Sequence, residues 1–203
     1  MNNIFDDTVN NPGKFTYQLA TKDGDKVVFR PLAHSDVTML AVFLENLSPV
    51  TRERSTFDSY DRACAEELCG AINKYDKLRF VCTAGRDGGE RIIGLLELSF
   101  GIPPSDLQRY RDVGINLSED TDVRFGPTLA DDWQGKGVGT LAFNMIAEIV
   151  KGFEKSRILL WGGVLVSNTP AIEYYKKLGF TVAGTFQNEG VDHLDMIYLI
   201  SSQ

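Results

Sequence analysis

Histidine and cysteine are scarce in this chain. Only His34 and His193, and Cys64, Cys69 and Cys82, occur among 203 residues. An odd, small cysteine count argues against a disulfide framework. Their spacing is not that of a zinc site and neither histidine is near them in sequence, so the cysteines read as reduced thiols and no metal is expected. Basic residues are the minority: 21 Lys+Arg stand against 28 Asp+Glu, a net charge of -7. That balance makes a poor general nucleic-acid binder and a reasonable host for cationic amines, although on charge alone solubility is a sufficient reason. No stretch approaches the roughly 20 apolar residues of a membrane span. The start, Met1-Asn2-Asn3-Ile4-Phe5-Asp6-Asp7, lacks a basic segment followed by an apolar run. No membrane or secretory address is expected, and the reading is a cytoplasmic protein.

What is present is an ordinary globular composition, 43% hydrophobic and 24% charged, at a length that suits one compact domain. Residues 1–25 read as a polar lead-in with a short strand at Phe15–Leu19, and 26–203 as a single domain. A strand is expected at Lys26–Leu32. A helix capped by Ser35-Asp36 follows, with Val37, Leu40, Ala41, Leu44 and Leu47 at helical spacing until Pro49 stops it. A second helix is expected from Asp58 to Lys74. Strands at Leu78–Ala84 and Arg91–Phe100 flank the turn signal Asp87-Gly88-Gly89 as a hairpin. Residues 101–121 are polar and long for a loop. They are either functional, with Tyr110 and Arg111 at an entrance, or carry a short helix; a solvated insertion is the commoner case and the favoured reading.

The strand Asp122–Leu129 leads to the clearest helix, whose Val138, Leu141, Ala142, Met145, Ile146, Ile149, Val150 and Phe153 form one apolar face. A buried strand kinked at Gly162-Gly163 is expected over Ile158–Val166. A helix from Thr169-Pro170 to Gly179 follows, then strands at Phe180–Gln187 and Leu194–Ile200. The order β-α-α-β-β-β-α-β-α-β-β is that of a mixed α/β domain.

Gly135, Gly137 and Gly139 alternate where the turn yields to the apolar-faced helix. A helix N-terminus presents unpaired N–H groups and partial positive charge, and glycines let a diphosphate approach the backbone. Lys136 adds a cation. A pyrophosphate is therefore expected on the amides from Gly135 to Thr140. A nucleotide P-loop would need Ser or Thr after the lysine, where Gly137 stands. A dinucleotide fold would need its third glycine one residue later and an acidic residue at the next strand end, where Val166-Ser167-Asn168 stands. Coenzyme A is the remaining class; a Gly-rich turn without a ligand is the minority reading.

Gln134-x-x-Gly137-x-Gly139 resembles the acetyl-CoA loop of the GNAT superfamily of N-acetyltransferases, Gln/Arg-x-x-Gly-x-Gly/Ala. The superfamily's second signature, Asn, then Ala, then Tyr shortly before Gly-Phe, is matched by Asn168, Ala171, Tyr175 and Gly179-Phe180. The resemblance is strong over 122–180. It implies a mixed, mostly antiparallel sheet with flanking helices, splayed between Asp122–Leu129 and Ile158–Val166, with the pantetheine arm in that cleft. It implies acetyl-CoA binding by Gln134, Gly135, Lys136, Gly137, Val138, Gly139 and Thr140. Thr128, Leu129 and Ala130 would lie along the arm, one of their amides facing the thioester carbonyl. Asn168 would contact the cofactor, fix the cleft, or merely cap its helix.

The implied reaction is direct attack of a neutral amine on the thioester, with Tyr175 as the general acid for the departing thiolate; on spacing alone Tyr175 is a core aromatic. The family has no fixed base. Glu97, a charge inside Leu95-Leu96-Glu97-Leu98, is the first candidate unless it faces solvent. Asp122, His193, Asp195 and ordered water follow. The turn Ala130-Asp131-Asp132-Trp133 lacks the family's usual proline, and 101–121 lengthens the connection beside the cleft. Residues 45–60, where the family commonly shapes its acceptor pocket, carry Arg52, Glu53, Arg54, Asp58 and Tyr60, which could read an acceptor's charges; an ordinary polar surface is the favoured reading. The acceptor, a small-molecule, peptide or protein amine, is not readable. A non-catalytic acyl-CoA sensor and a transferase of another acyl group are the alternatives, and a homodimer is the default assembly.

Overall fold

The computed structural model describes residues 2–72, 74, 76–86 and 89–200. In chain order the elements are helix α1 (Asn2–Asn10), strands β1 (Tyr17–Ala20) and β2 (Lys26–Pro31), and helices α2 (Val37–Glu45), α3 (Pro49–Glu53) and α4 (Arg62–Gly70). Strands β3 (Lys77–Arg86) and β4 (Gly89–Ser99), helix α5 (Pro104–Asp112), strand β5 (Asp122–Leu129) and helix α6 (Val138–Gly152) follow. Strands β6 (Arg157–Leu160) and β7 (Val164–Leu165), helix α7 (Thr169–Leu178) and strands β8 (Thr181–Asn188) and β9 (Val191–Leu199) complete the chain. This is a mixed α/β fold, its strands mostly antiparallel and flanked by helices. Two compact units are present: Met1–Glu97 with Pro127–Ile146, and Leu98–Gly126 with Ala147–Gln203.

In the first unit β1 and β3 both pair antiparallel with β2, in registers that include Tyr17↔Phe29 and Phe29↔Cys82. Alternation along β2 buries Val27 and Phe29, and Phe29 stacks on Phe80 at 5.1 Å. Helices α2 and α4 cover the sheet with Leu40, Leu44, Ala65 and Cys69, which pack with Val81 and Leu95. Each such large apolar side chain is worth about 1.5–3 kcal/mol when fully buried. The part of β4 in this unit is buried without a break from Ile92 to Glu97.

In the second unit β5 and β6 run parallel from Asp122↔Arg157 to Phe125↔Leu160, and Trp161 N–H donates to Phe125 O at 2.8 Å. β6, β7 and β8 all pair antiparallel with β9. Tyr110, Leu159 and Ile197 form the buried cluster, with Ile115, Leu117 and Ala183 against it.

Several elements differ from the sequence expectations. In residues 1–25 the expected short strand stands as β1, paired with β2, but α1 precedes it where only a polar lead-in was expected. Pro49 does not stop α2; that helix closes at Asn46, whose Nδ2 donates to Val42 O at 2.7 Å, and Pro49 opens α3 behind Ser48 as cap. The helix expected over 58–74 is shorter, because Asp61 caps it by accepting the Cys64 N–H at 3.1 Å; Asn73 of that range lies outside the described residues. Of the turn expected between β3 and β4, Asp87 and Gly88 lie outside them too.

Residues 101–121 are not a solvated insertion. They carry α5, whose Tyr110 is 1% exposed and whose Arg109 forks onto the buried Asp195 at 2.6 and 3.0 Å. Ile158–Val166 is not one kinked strand. Gly162 and Gly163 adopt φ 73° and 68°, which breaks it into β6 and β7. A Cβ on Gly163 would stand 2.7 Å from Leu194 O, so only glycine lets that backbone pass.

Candidate active site

The glycine loop is built from the turn after β5. Residues 131–133 make a short 3-10 turn, Gln134 is extended, and α6 begins at Val138. α6 holds because Val138, Ala142, Phe143, Ile146, Ile149 and Val150 are all buried on one face. Gly135 and Gly137 sit at φ 76° and 83°, in the left-handed region, with Lys136 at ordinary negative φ between them. Backbone that alternates in this way is of the kind that turns successive amides inward on an anion, and it stands in front of a helix whose first N–H groups have no intrahelical acceptor. A Cβ added at either glycine would meet nothing within 4 Å, so the space before the loop is open. Gln134, Gly135, Gly137 and Thr140 are exposed, Lys136 and Gly139 half-buried, and Val138 buried. The Lys136 ammonium lies 4.7 Å from the centre of the Trp133 indole, which is 3% exposed.

The strand end before the loop is also in place. Ala130 N–H donates to Ile93 O at 2.9 Å. Strand alternation therefore turns the Leu129 N–H to the opposite edge. Leu129 O accepts from Gln134 Nε2 at 3.1 Å. Thr128 is buried, and Leu129 and Ala130 are half-buried.

Glu97 does not face solvent. It is 6% exposed, and its Oε1 accepts from Arg79 Nε at 2.7 Å within the same unit as the loop. The neighbouring guanidinium is what makes a buried charge tolerable there.

The second unit holds the other two predicted residues. Asn168 is 8% exposed and caps α7, its Oδ1 accepting the Ala171 N–H at 3.4 Å. Gly179, at φ 101°, ends that helix. Tyr175 is 9% exposed and meets Phe180 edge-on at 5.4 Å. Burial pushes its phenol well above the ordinary range. The lesser base candidates are engaged elsewhere. Asp122 pairs with Arg157, Asp195 with Arg109, and His193 stacks on Phe186 at 5.1 Å while Nδ1 meets Val191 O at 3.0 Å. All three cysteines are buried, and desolvation pushes the Cys69 and Cys82 thiols up to about 11 and about 12.

A family model described as the acetyltransferase (GNAT) family matches residues 46–180. The chain belongs to the GNAT acetyltransferase family. Solved structures carry the same fold. The GNAT domain of S. lividans PAT superposes with TM-score 0.69 at 19% identity, over 93% of this chain and 98% of that one. Ribosomal-protein-S5-alanine acetyltransferase from Vibrio fischeri does so with TM-score 0.68 at 16% identity, over 91% and 96%. AAC(6')-Ib in complex with ribostamycin and coenzyme A gives 0.64 at 20%, over 85% and 93%. Comparison with curated protein sequences gives no match.

This GNAT chain also holds polar groups that sequence reading passed over. Asp131, in the turn before the loop, accepts from Ser48 N–H at 2.9 Å, Ser48 Oγ at 2.6 Å and Thr51 Oγ1 at 2.7 Å. Burial works against its charge, but these hydrogen bonds prevail and hold the carboxyl below the usual aspartate range. Its partners lie 80 or more positions away, and no local pattern announces them.

Proposed function

We propose that the chain is an acetyl-CoA-dependent N-acetyltransferase that moves the acetyl group to a primary amine by direct attack in a ternary complex. The observation that carries this reading is the paired left-handed glycines, Gly135 and Gly137, at the start of α6. The relative bound to coenzyme A and the membership of an acetyltransferase family add to it. Acetyl-CoA, when bound, supplies the activated acyl group. The amides of residues 135–140 hold its diphosphate, Gln134 and Lys136 flank it, and Thr128, Leu129 and Ala130 line the arm.

The Leu129 N–H is the donor for the carbonyl oxygen, because the Ala130 N–H is already spent on Ile93. The amine nitrogen forms the new C–N bond as the C–S bond breaks. Tyr175 gives its phenolic proton to the departing sulfur, and Glu97 takes the proton lost by the amine. Asn168 fixes the start of the helix that carries Tyr175. The same reading takes residues 26–203 as the catalytic domain, working in the cytoplasm. Acceptors named for similar structures, an aminoglycoside, spermidine and a ribosomal protein's alanine, define the amine classes to screen.

The test is acetyl-CoA consumption over a panel of polyamines, aminoglycosides, amino acids and peptide amines, with Tyr175→Phe as control. Turnover with at least one amine, reduced in the variant, is expected. Tight coenzyme A binding without turnover on any amine would instead make the protein an acyl-CoA sensor. Preference for a longer thioester would make it another acyltransferase.

A further inference from the structure

Gln134 is two things at once in the first unit. Its backbone begins the glycine loop, while its side chain turns back, Nε2 donating to Thr51 Oγ1 at 3.2 Å and to Leu129 O at 3.1 Å. Thr51 passes the contact on. Its hydroxyl donates to Asp131 Oδ1 at 2.7 Å, and the same carboxylate takes the Ser48 hydroxyl and amide at 2.6 and 2.9 Å. Ser48 in turn caps α3 by accepting the Thr51 N–H at 3.2 Å. From α3 the chain of contacts continues to Arg52. Its Nε and Nη2 close α2 on Leu47 O and Glu45 O at 2.9 and 2.8 Å, and its guanidinium lies 5.0 Å from the Tyr60 ring centre. Tyr60 hydroxyl donates to Arg52 O at 2.7 Å. Segment 47–60 is short of regular structure, with a five-residue helix at most. It therefore owes its shape to this network rather than to a ladder of its own.

We infer that Asp131, Thr51 and the side chain of Gln134 are positioning residues that couple occupancy of the glycine loop to the order of segment 47–60. The inference rests on the coenzyme A reading of that loop and deepens it. An anion on the loop amides fixes the Gln134 backbone, and with it the Nε2 that holds Thr51. A fixed Thr51 keeps its hydroxyl donating to Asp131 and so keeps Ser48 as cap. Linkage makes the effect reciprocal: a segment that is already ordered raises the affinity of the loop by the factor with which the ligand orders the segment. The Gln134 side chain thereby works as a strut toward α3 and leaves the diphosphate to the backbone.

The test uses the full chain, coenzyme A as probe, and Thr51→Val, which keeps the shape of residue 51 and removes the bridging hydroxyl. Amide hydrogen exchange of residues 48–54 is followed with and without coenzyme A, alongside the coenzyme A Kd by calorimetry. In the wild type, coenzyme A is expected to slow exchange over 48–54. In Thr51→Val it still binds, but about fivefold more weakly, and the slowing over 48–54 disappears while that over 135–140 persists. Asp131→Ala, which removes the acceptor of both hydroxyls, is the second variant, with the same expectation, should Thr51→Val fold poorly. Coenzyme A bound to the wild type with unchanged exchange over 48–54 overturns the coupling but leaves the loop reading intact, and so does full protection in both variants. A wild type that takes no coenzyme A overturns both.

Discussion

Gly137→Ala separates backbone strain from ligand binding, because the structure supplies its own control. Gly137 has φ 83° and Gly24 has φ 84°, and a Cβ on either would meet no atom within 4 Å. Alanine at each position therefore carries the same strain, about 1–2 kcal/mol for a left-handed residue. In a chain of 203 residues each kcal/mol moves Tm by about 2–4 °C, so both variants should melt about 2–8 °C below the wild type. Only at Gly137 does the new methyl occupy the space before the helix amides. Holding a diphosphate off two of them removes two hydrogen bonds to a charged group, about 1.5–3 kcal/mol each. Against a wild-type affinity near micromolar, about 8 kcal/mol, that weakens binding more than 100-fold. Calorimetric titration with coenzyme A and thermal melts of the three proteins give both numbers. If Gly137→Ala binds coenzyme A like the wild type, or Gly24→Ala loses it to the same degree, the assignment of the loop is wrong.

Tyr175→Phe should leave coenzyme A affinity unchanged and slow acetyl transfer about 100-fold or more. Since burial raises the wild-type phenol, its rate should show no loss of the acid form up to about pH 10; a pH–rate profile falling below pH 9 with Tyr175 present and flat in the variant would contradict its environment. Glu97→Gln leaves the Arg79 side chain, 7% exposed, without its counter-charge and should cost about 3–5 kcal/mol by denaturant titration; a Glu97→Leu, Arg79→Met double variant that is no more stable than Glu97→Gln would refute this pairing argument. The Asp131 carboxyl is lowered in the fold, so its contribution is complete above the unfolded value near about 3.9 and is lost as pH falls through the lower folded value. The Tm difference between wild type and Asp131→Asn should be present at neutral pH and vanish in strong acid; a gap that widens on acidification would reverse the sign.

Where elements depend on local chemistry, the sequence was legible. The apolar stripe of α6, the glycines before it, the Asn168 cap and the Gly179 stop are each set by residues within a turn or two, and all four stand where spacing puts them. Pro49 misled because a proline both ends and begins helices, and only the Ser48 cap with its Asp131 partner decides which. Segment 101–121 misled because its polar residues look solvated until Arg109 finds Asp195, 86 positions later. Glu97 was undecidable for the same reason: a strand buried on both faces hides the alternation that would have revealed its surroundings.

By itself the sequence determined the local shape of the glycine loop, since the left-handed turns at Gly135 and Gly137 need no distant partner. The tertiary structure alone decided where the charges go. Asp131, Glu97 and Asp195 became a strut, a buried pair and an anchor because the fold brought hydroxyls or a guanidinium within 3 Å of each. Hydrogen bonds between residues so far apart in the chain leave no periodic trace for a reader of the sequence to find.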